Sequence, residues 1–337
     1  LAANVSNPEA AIDDSDGRDS LAFPDSLVQE PSYAASGSYA VLASSANVYL
    51  ANGAEGLTWL QQDTGLLYRQ VSDSNNPYDP PADTTALYAE GEYAYISDND
   101  GPIEGLRILN LAGPESGRAE LTGFVPTPGD ANAVAVNGSF AYVADGTEGV
   151  AVINIENKNA PLIASTFDPG GNFRDIAFWE QDGSVTAYIA DSGAGQLRIA
   201  EVNQSTGALT ETGSRLLNGV RATAIYAREE TDGIHRYAAL VNGSGLTIMD
   251  LTDPAAPVVS LGTSGDAQDV AVTHPYAVVA DGSNGVLLVK ISDPNNPPTL
   301  LDSYLTVEPA EAISLYASYI HTAVGSRGVA VIGISDT

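Results

Sequence analysis

The sequence predicts an all-β fold, and three observations support this prediction. A Tyr-rich strand that closes mostly on Asp or Asn recurs seven times along the 337 residues, at intervals of about 45 residues. A full copy contains four short apolar stretches separated by Gly, Asp and Pro. No segment has the apolar periodicity of a helix. Together these features predict a seven-bladed β-propeller of four-stranded antiparallel blades.

The third copy shows the four predicted strands in order. An apolar strand at 133–136 is followed, after a short Gly turn, by the aromatic strand at 140–144. The turn 145–149 contains Asp and two Gly and leads into a β-branched run at 150–155. A turn with Pro precedes the last strand at 162–167, so the unit predicts an antiparallel meander.

The ends of the repeat array predict how the ring closes. The seventh copy stops after its third strand, at 329–334, whereas 26–30 precede the first copy as an extra strand. We expect Leu27–Glu30 to pair beside Ala330–Ile334, which would cover an otherwise bare sheet edge. The predicted organisation is one propeller domain, 26–337, preceded by an acidic tail or strap, 1–25.

Composition excludes several function classes. The chain has 13 Lys and Arg against 43 Asp and Glu, a net charge of −30, and no Cys. Its two lysines, Lys158 and Lys290, cannot form the basic surface that nucleic acid requires. Disulfides and thiolate chemistry are excluded, and no apolar run predicts membrane insertion. We expect an extracellular, periplasmic or cell-surface protein, and the chain could be one piece of a larger surface protein.

Several runs of this sequence resemble a known repeat family. The third-strand runs at 149–155, 245–251 and 285–291, and the Asp-Pro-x-x-Pro turns at 253–257 and 293–297, are similar to the LVIVD repeat. The resemblance implies a β-propeller found mainly in exported or surface proteins of bacteria and archaea. It implies no catalytic residue.

Residues that recur in every copy are interpreted as structural. The repeated tyrosines are expected to pack between blades. The repeated Asp or Asn at the end of the second strand is expected to accept hydrogen bonds from the turn that follows. Function is therefore sought where the copies differ.

The candidate ligand-binding residues lie in such irregular places. Because cations are scarce, Arg174 and Arg221 near the channel mouth could hold a carboxylate or an acidic sugar. Structural Arg–Asp pairing is the alternative. Tyr78 could either be a platform for a sugar or a peptide or belong to a stiff Pro-rich loop without a ligand. The candidate set is Arg174, Asp175, Arg221, Tyr78 and Glu311.

Two acidic clusters are candidate Ca²⁺ sites, because this ion prefers oxygen ligands. The first is the long turn of the second copy, with Asp98, Asp100 and Glu104. The second is the N-terminal cluster, with Asp14, Asp16 and Asp19. The alternatives are a solvated loop and a disordered acidic tail.

Two functions from different classes follow. The chain has three histidines and no hydrolase signature, which favours a non-catalytic module that binds a protein or a glycan. The alternative is a carbohydrate-active enzyme, a polysaccharide lyase or glycoside hydrolase, with its site at the mouth of the channel.

Overall fold

The computed structural model describes residues 26–29, 39–44, 47–52, 57–62, 68–70, 84–99, 104–111, 119–217, 219–230, 233–253, 255–292, 296–316 and 319–335. These residues form 28 strands and no helix. The strands group into seven antiparallel sheets of four strands each. The all-β prediction and the number of blades are confirmed.

Blades 1 to 4 follow one another along the chain. Blade 1 contains β2 (Ala40–Ser44), β3 (Asn47–Ala51), β4 (Leu57–Gln62) and β5 (Tyr68–Gln70). Blade 2 contains β6 (Thr84–Glu90), β7 (Tyr93–Asp98), β8 (Gly105–Asn110) and β9 (Glu120–Pro126). Blade 3 contains β10 (Ala133–Asn137), β11 (Phe140–Ala144), β12 (Val150–Asn154) and β13 (Leu162–Phe167). Blade 4 contains β14 (Phe173–Gln181), β15 (Ser184–Asp191), β16 (Gln196–Val202) and β17 (Leu209–Leu216).

Blades 5 to 7 repeat the pattern, and the last one uses the first strand of the chain. Blade 5 contains β18 (Ala222–Glu230), β19 (Gly233–Asn242), β20 (Gly245–Asp250) and β21 (Val259–Gly262). Blade 6 contains β22 (Asp269–Thr273), β23 (Tyr276–Ala280), β24 (Val286–Lys290) and β25 (Thr299–Tyr304). Blade 7 contains β26 (Ala312–Tyr316), β27 (Tyr319–Ala323), β28 (Val329–Ser335) and β1 (Ser26–Gln29).

The innermost strands close a ring. Each first strand contacts the first strand of the next blade, and β26 of blade 7 contacts β2 of blade 1. Strand β1 pairs antiparallel with β28, from Ser26 opposite Ser335 to Gln29 opposite Ile332. The predicted closure by the N-terminal strand is confirmed, with the strand starting one residue earlier than expected. The pairing covers the edge that β28 would otherwise expose.

The repeated tyrosines pack between blades, as predicted. Tyr95, Tyr142 and Tyr188 are buried, and each belongs to an apolar cluster shared with the following blade. The ring of Tyr142 in blade 3 meets that of Phe178 in blade 4 edge-on, at 4.8 Å between centroids. This geometry is favourable for aromatic pairs, so the regular side chains stabilise the ring of blades.

The hydrogen-bond partners of the repeated Asp at the end of the second strand differ in part from the prediction. Asp191 accepts a hydrogen bond from the backbone N–H of Ala194 in the following turn, at 3.0 Å, as expected. Asp145 instead accepts bonds from the Thr127 hydroxyl at 2.7 Å and the Gly129 N–H at 2.9 Å. Because both donors precede the first strand of the blade, the carboxylate fixes the connection between blades as well as the turn.

Polar side chains also join the innermost strands of neighbouring blades. Asp269 of blade 6 accepts a bond from the Ile313 N–H of blade 7, at 2.8 Å. The Ser314 hydroxyl accepts a bond from the Ala43 N–H of blade 1, at 2.9 Å. N–H groups of an innermost strand that point away from the second strand have no strand partner, so these bonds satisfy otherwise orphaned donors.

Candidate functional site

One position in each blade lies at the mouth of the channel, where the innermost strand begins. The backbone N–H at this position bonds to the last residues of the second strand in blades 1, 3, 5, 6 and 7. The seven residues are Tyr39, Thr85, Asn132, Arg174, Arg221, Gln268 and Glu311. Since the backbone repeats and the side chains do not, this ring of residues, here called the mouth ring, breaks the symmetry of the scaffold.

The two arginines of the mouth ring share one cavity. It has a volume of about 540 Å³ and lies across blades 4, 5 and 6. The lining residues are Arg174, Ser192, Gly219, Arg221, Asn242, Gly243, Ser244, Asp266 and Gln268. The structure therefore brings together two residues of the predicted ligand-binding set, from neighbouring blades.

Neighbouring polar groups hold both guanidinium groups in place. Arg174 donates from Nη1 to the Asn132 side-chain oxygen at 3.2 Å, and Arg221 donates from Nη1 to Asp266 Oδ1 at 2.7 Å. Gln268 donates to the other oxygen of Asp266, at 2.9 Å. Within the part of the chain that the structure describes, each guanidinium uses one of its five donors in this way. Donors therefore remain for a further acceptor in the cavity.

The turn of blade 5 comes close to these groups because it contains glycine. A Cβ atom at Gly243 would lie 2.7 Å from Asp266 Oδ1 and 3.2 Å from Nη2 of Arg221. Any larger residue would displace the ion pair, so the backbone at this point leaves room for the cavity.

Glu311 belongs to the same electrostatic environment, although it does not line the cavity. Partial burial raises the pKa of its carboxyl, the negative charge of Asp266 raises it further, and Arg221 lowers it. The mouth ring thus has two cations on blades 4 and 5 and a carboxyl of raised pKa on blade 7.

Asp175, also in the predicted set, faces the next blade. It is 1 % exposed, and its oxygens accept bonds from the N–H groups of Ile176 and Thr223, both at 2.8 Å. Burial raises the pKa of this carboxyl to about 7, because removal from water disfavours the charge. The structure gives Asp175 the same inter-blade contact that Asp269 makes. The signal for this role was an acid at the start of an apolar strand.

The remaining predicted site residues are placed as follows. Tyr78, Asp100, Asp14, Asp16 and Asp19 lie outside the described residues. Asp98 is fully buried and forms an ion pair with Nε of Arg107, whereas Glu104 is half-buried at the end of its turn. Among residues whose positions are described, no three His, Asp or Glu side chains are grouped to hold a metal ion.

The histidines lie elsewhere in the molecule. His235 contacts Asp250 at 2.8 Å, and its ring belongs to an aromatic stack with Tyr237, Tyr226 and His274. His274 lies in the connection between β22 and β23, and His235 lies near the start of β19, so this stack is on the face opposite the mouth ring. His321 is buried inside blade 7.

The described residues contain no helix of the length and apolar character needed to cross a membrane.

A family model for the LVIVD repeat matches the chain at residues 128–168 and 264–306. These stretches coincide with blades 3 and 6 and their entry loops. The chain is a seven-bladed β-propeller that contains LVIVD repeats.

Solved structures share this fold with the LVIVD-repeat propeller. A candidate 6-phosphogluconolactonase from Bacteroides fragilis is 17% identical, with a TM-score of 0.65 over 88% of this chain and 87% of that one. The WD40 propeller domain of Doa1 is 10% identical, with a TM-score of 0.65 over 92% and 97%. The protein YCF48, solved bound to D1 peptide, is 13% identical, with a TM-score of 0.60 over 92% and 97%. The comparison with curated proteins gave no match. These identities show a shared fold alone.

Proposed function

We propose that this propeller is a non-catalytic binding module whose mouth ring holds a carboxylate of its partner. The observation that carries the proposal is the pair Arg174 and Arg221 in one cavity. A guanidinium presents paired donors that match the two oxygens of a carboxylate. In a chain with 43 acidic and 13 basic side chains, two arginines in one cavity favour an anionic group at that place.

The fold supports a binding role. Propellers present broad faces on which irregular loops can contact a partner, and YCF48, a similar propeller, is solved bound to a peptide. Here the mouth ring supplies the irregular part, since its side chains differ from blade to blade.

The alternative function is a carbohydrate-active enzyme, and Glu311 favours it. Glycoside hydrolysis needs a carboxylic acid that stays protonated near neutral pH and a second carboxylate. Glu311 has a raised pKa, and Asp266 lies close enough to contribute to it. This pair would serve as general acid and general base, with Arg221 beside a substrate carboxylate.

An NMR titration tests the proposal and separates the two functions. The probes are trigalacturonate and N-acetyl-triglutamate amide, with the methyl ester of trigalacturonate as a neutral control. We expect both acidic probes to shift the amide signals of Gly219 and Gly243, and the ester to leave them unchanged. Arg174→Gln combined with Arg221→Gln should abolish the shifts. Lys290→Gln removes a charge at the opposite end of blade 6 and should preserve them.

Three outcomes contradict the proposal. Shifts that survive the double arginine substitution, or no saturable shift at millimolar probe, would show that the cavity does not bind carboxylates. Shortened or unsaturated trigalacturonate in the mass spectrum would show catalysis, and the module would then be the alternative enzyme.

A further inference from the structure

A second cavity continues the first one outward along the junction of blades 4 and 5. Its volume is about 470 Å³. The lining residues are Ala194, Gly195, Leu216, Leu217, Asn242, Thr247, Val258 and Ser260. Asn242 lines both cavities, so the two cavities adjoin; together they are here called the groove, which extends from the mouth ring to the outer strands.

The outer end of this groove is aliphatic. Leu216 is 84 % exposed and Val258 is 51 % exposed, and together with Leu217 they face one concave space. Isolated apolar side chains are common on protein surfaces, but a group of them in a groove beside charged residues is typical of a contact site. Burying this wall against an aliphatic group would stabilise a complex.

The middle of the groove is lined by small polar side chains. The hydroxyls of Thr247 and Ser260 are 3.0 Å apart and share one hydrogen bond, which leaves acceptor capacity on the oxygens. These hydroxyls could bond the backbone of a ligand that crosses the groove.

The length of the groove follows from the sheet. Phe173, Asp191, Gln196 and Leu216 are cross-strand partners in one row of blade 4, so Arg174 and Leu216 lie three strands apart at the same end of the blade. Three inter-strand spacings of about 4.8 Å give about 14 Å. An extended peptide covers this distance in about four residues, and an even separation directs both side chains to the same face.

We infer that the partner is a protein that inserts an extended segment into this groove. An Asp or Glu side chain of the segment binds Arg174 and Arg221. An aliphatic side chain four residues away packs against Leu216 and Val258. This inference rests on the proposed function and names its ligand class. A glycan fits the outer end less well, because sugar hydroxyls against an aliphatic wall would lose their hydrogen bonds to water.

The test is a selection from a phage library of random linear dodecapeptides. The library is first depleted on the variant carrying Arg174→Gln and Arg221→Gln and then selected on the wild-type chain. We expect enriched sequences to place Asp or Glu four residues from Leu, Ile, Val or Met, in either order.

The binding of one enriched peptide, labelled with fluorescein, is then measured by fluorescence anisotropy. Leu216→Ser should weaken binding at least fivefold, and Arg221→Gln about tenfold. Leu162→Ser removes a leucine of similar exposure from the far end of blade 3. It is the matched control, and its affinity should stay within twofold of wild type.

The outcomes distinguish this inference from the proposed function. Enriched peptides without the spacing, or affinity that Leu216→Ser leaves unchanged, would overturn the peptide groove. If trigalacturonate still binds through the arginines in that case, the carboxylate site stands and its ligand is a glycan. If neither probe binds, both proposals fail.

Discussion

The pH dependence of stability should depend strongly on His321. This residue occupies the position in blade 7 where Tyr142 lies in blade 3, and its side chain is 2 % exposed. Burial lowers its pKa to about 4, because the charged imidazolium would lose its hydration. In the unfolded chain the pKa returns to about 6.5. The fold therefore prefers the neutral ring.

The sign and the size follow from linkage. Below about pH 6.5 the unfolded chain binds a proton that the folded chain does not, so this contribution to stability is present above pH 6.5 and is lost as the pH falls towards 4. At about 1.4 kcal/mol for each pKa unit, the loss is about 2 kcal/mol between pH 7 and pH 5 and about 3 kcal/mol by pH 4. His321→Gln removes the titration and should remove this loss.

Urea unfolding followed by circular dichroism measures the effect. The free energy of unfolding is determined for the wild type and for His321→Gln at several pH values between about 7 and 5. The difference between the two proteins should shift by about 2 kcal/mol in favour of the variant at the lower pH. His321→Tyr, which restores the repeated residue, should behave like the Gln variant. Parallel curves for all three proteins would refute the reasoning.

Three further predictions concern the scaffold. Asp269→Ala leaves two buried N–H donors without an acceptor. In urea unfolding it should lower the free energy of unfolding by about 2 to 4 kcal/mol. The control Glu201→Gln changes an exposed side chain and should alter this free energy by less than about 0.5 kcal/mol. Gly245→Ala should lower the free energy of unfolding by about 3 kcal/mol or more in the same assay, because φ is +134° and the new Cβ would lie 2.2 Å from a carbonyl oxygen. Gly183→Ala has a positive φ but open space around the new Cβ, and should lower this free energy by about 1 kcal/mol. Equal costs for the two glycines would contradict the steric argument. Deletion of residues 1–29 exposes the edge of β28, which should lower the melting temperature and produce dimers or aggregates in size-exclusion chromatography. A monomer of unchanged melting temperature would show that closure by β1 is dispensable.

The fold could be predicted in detail because its determinants are local. The alternation of apolar and polar residues, the turn residues and the period of the repeat all lie within one copy, and each copy repeats them. The closure could also be predicted, since 26–30 supply the one strand that the incomplete last copy lacks.

The candidate site was predictable only in part. The scarcity of cations identified Arg174 and Arg221, and their location at the starts of innermost strands placed both near the mouth. The sequence could not distinguish an acid that faces a ligand from one that faces a neighbouring strand, as Asp175 shows. The aliphatic wall of Leu216 and Val258 was missed, because single apolar residues at strand ends carry no pattern.

The sequence by itself determined the class of fold and the number of blades, because hydrogen-bonded strands within blades 1 to 6 are also neighbours along the chain. It also indicated the strand that closes the ring, because the last copy lacks a fourth strand and an extra strand precedes the first copy. Only the tertiary structure decided which polar side chains meet. Arg174 and Arg221 share a cavity, and Asp175 reaches Thr223, because adjacent blades bring residues of successive repeats side by side. Such contacts depend on how one blade is rotated against the next, and no spacing within a repeat encodes that angle.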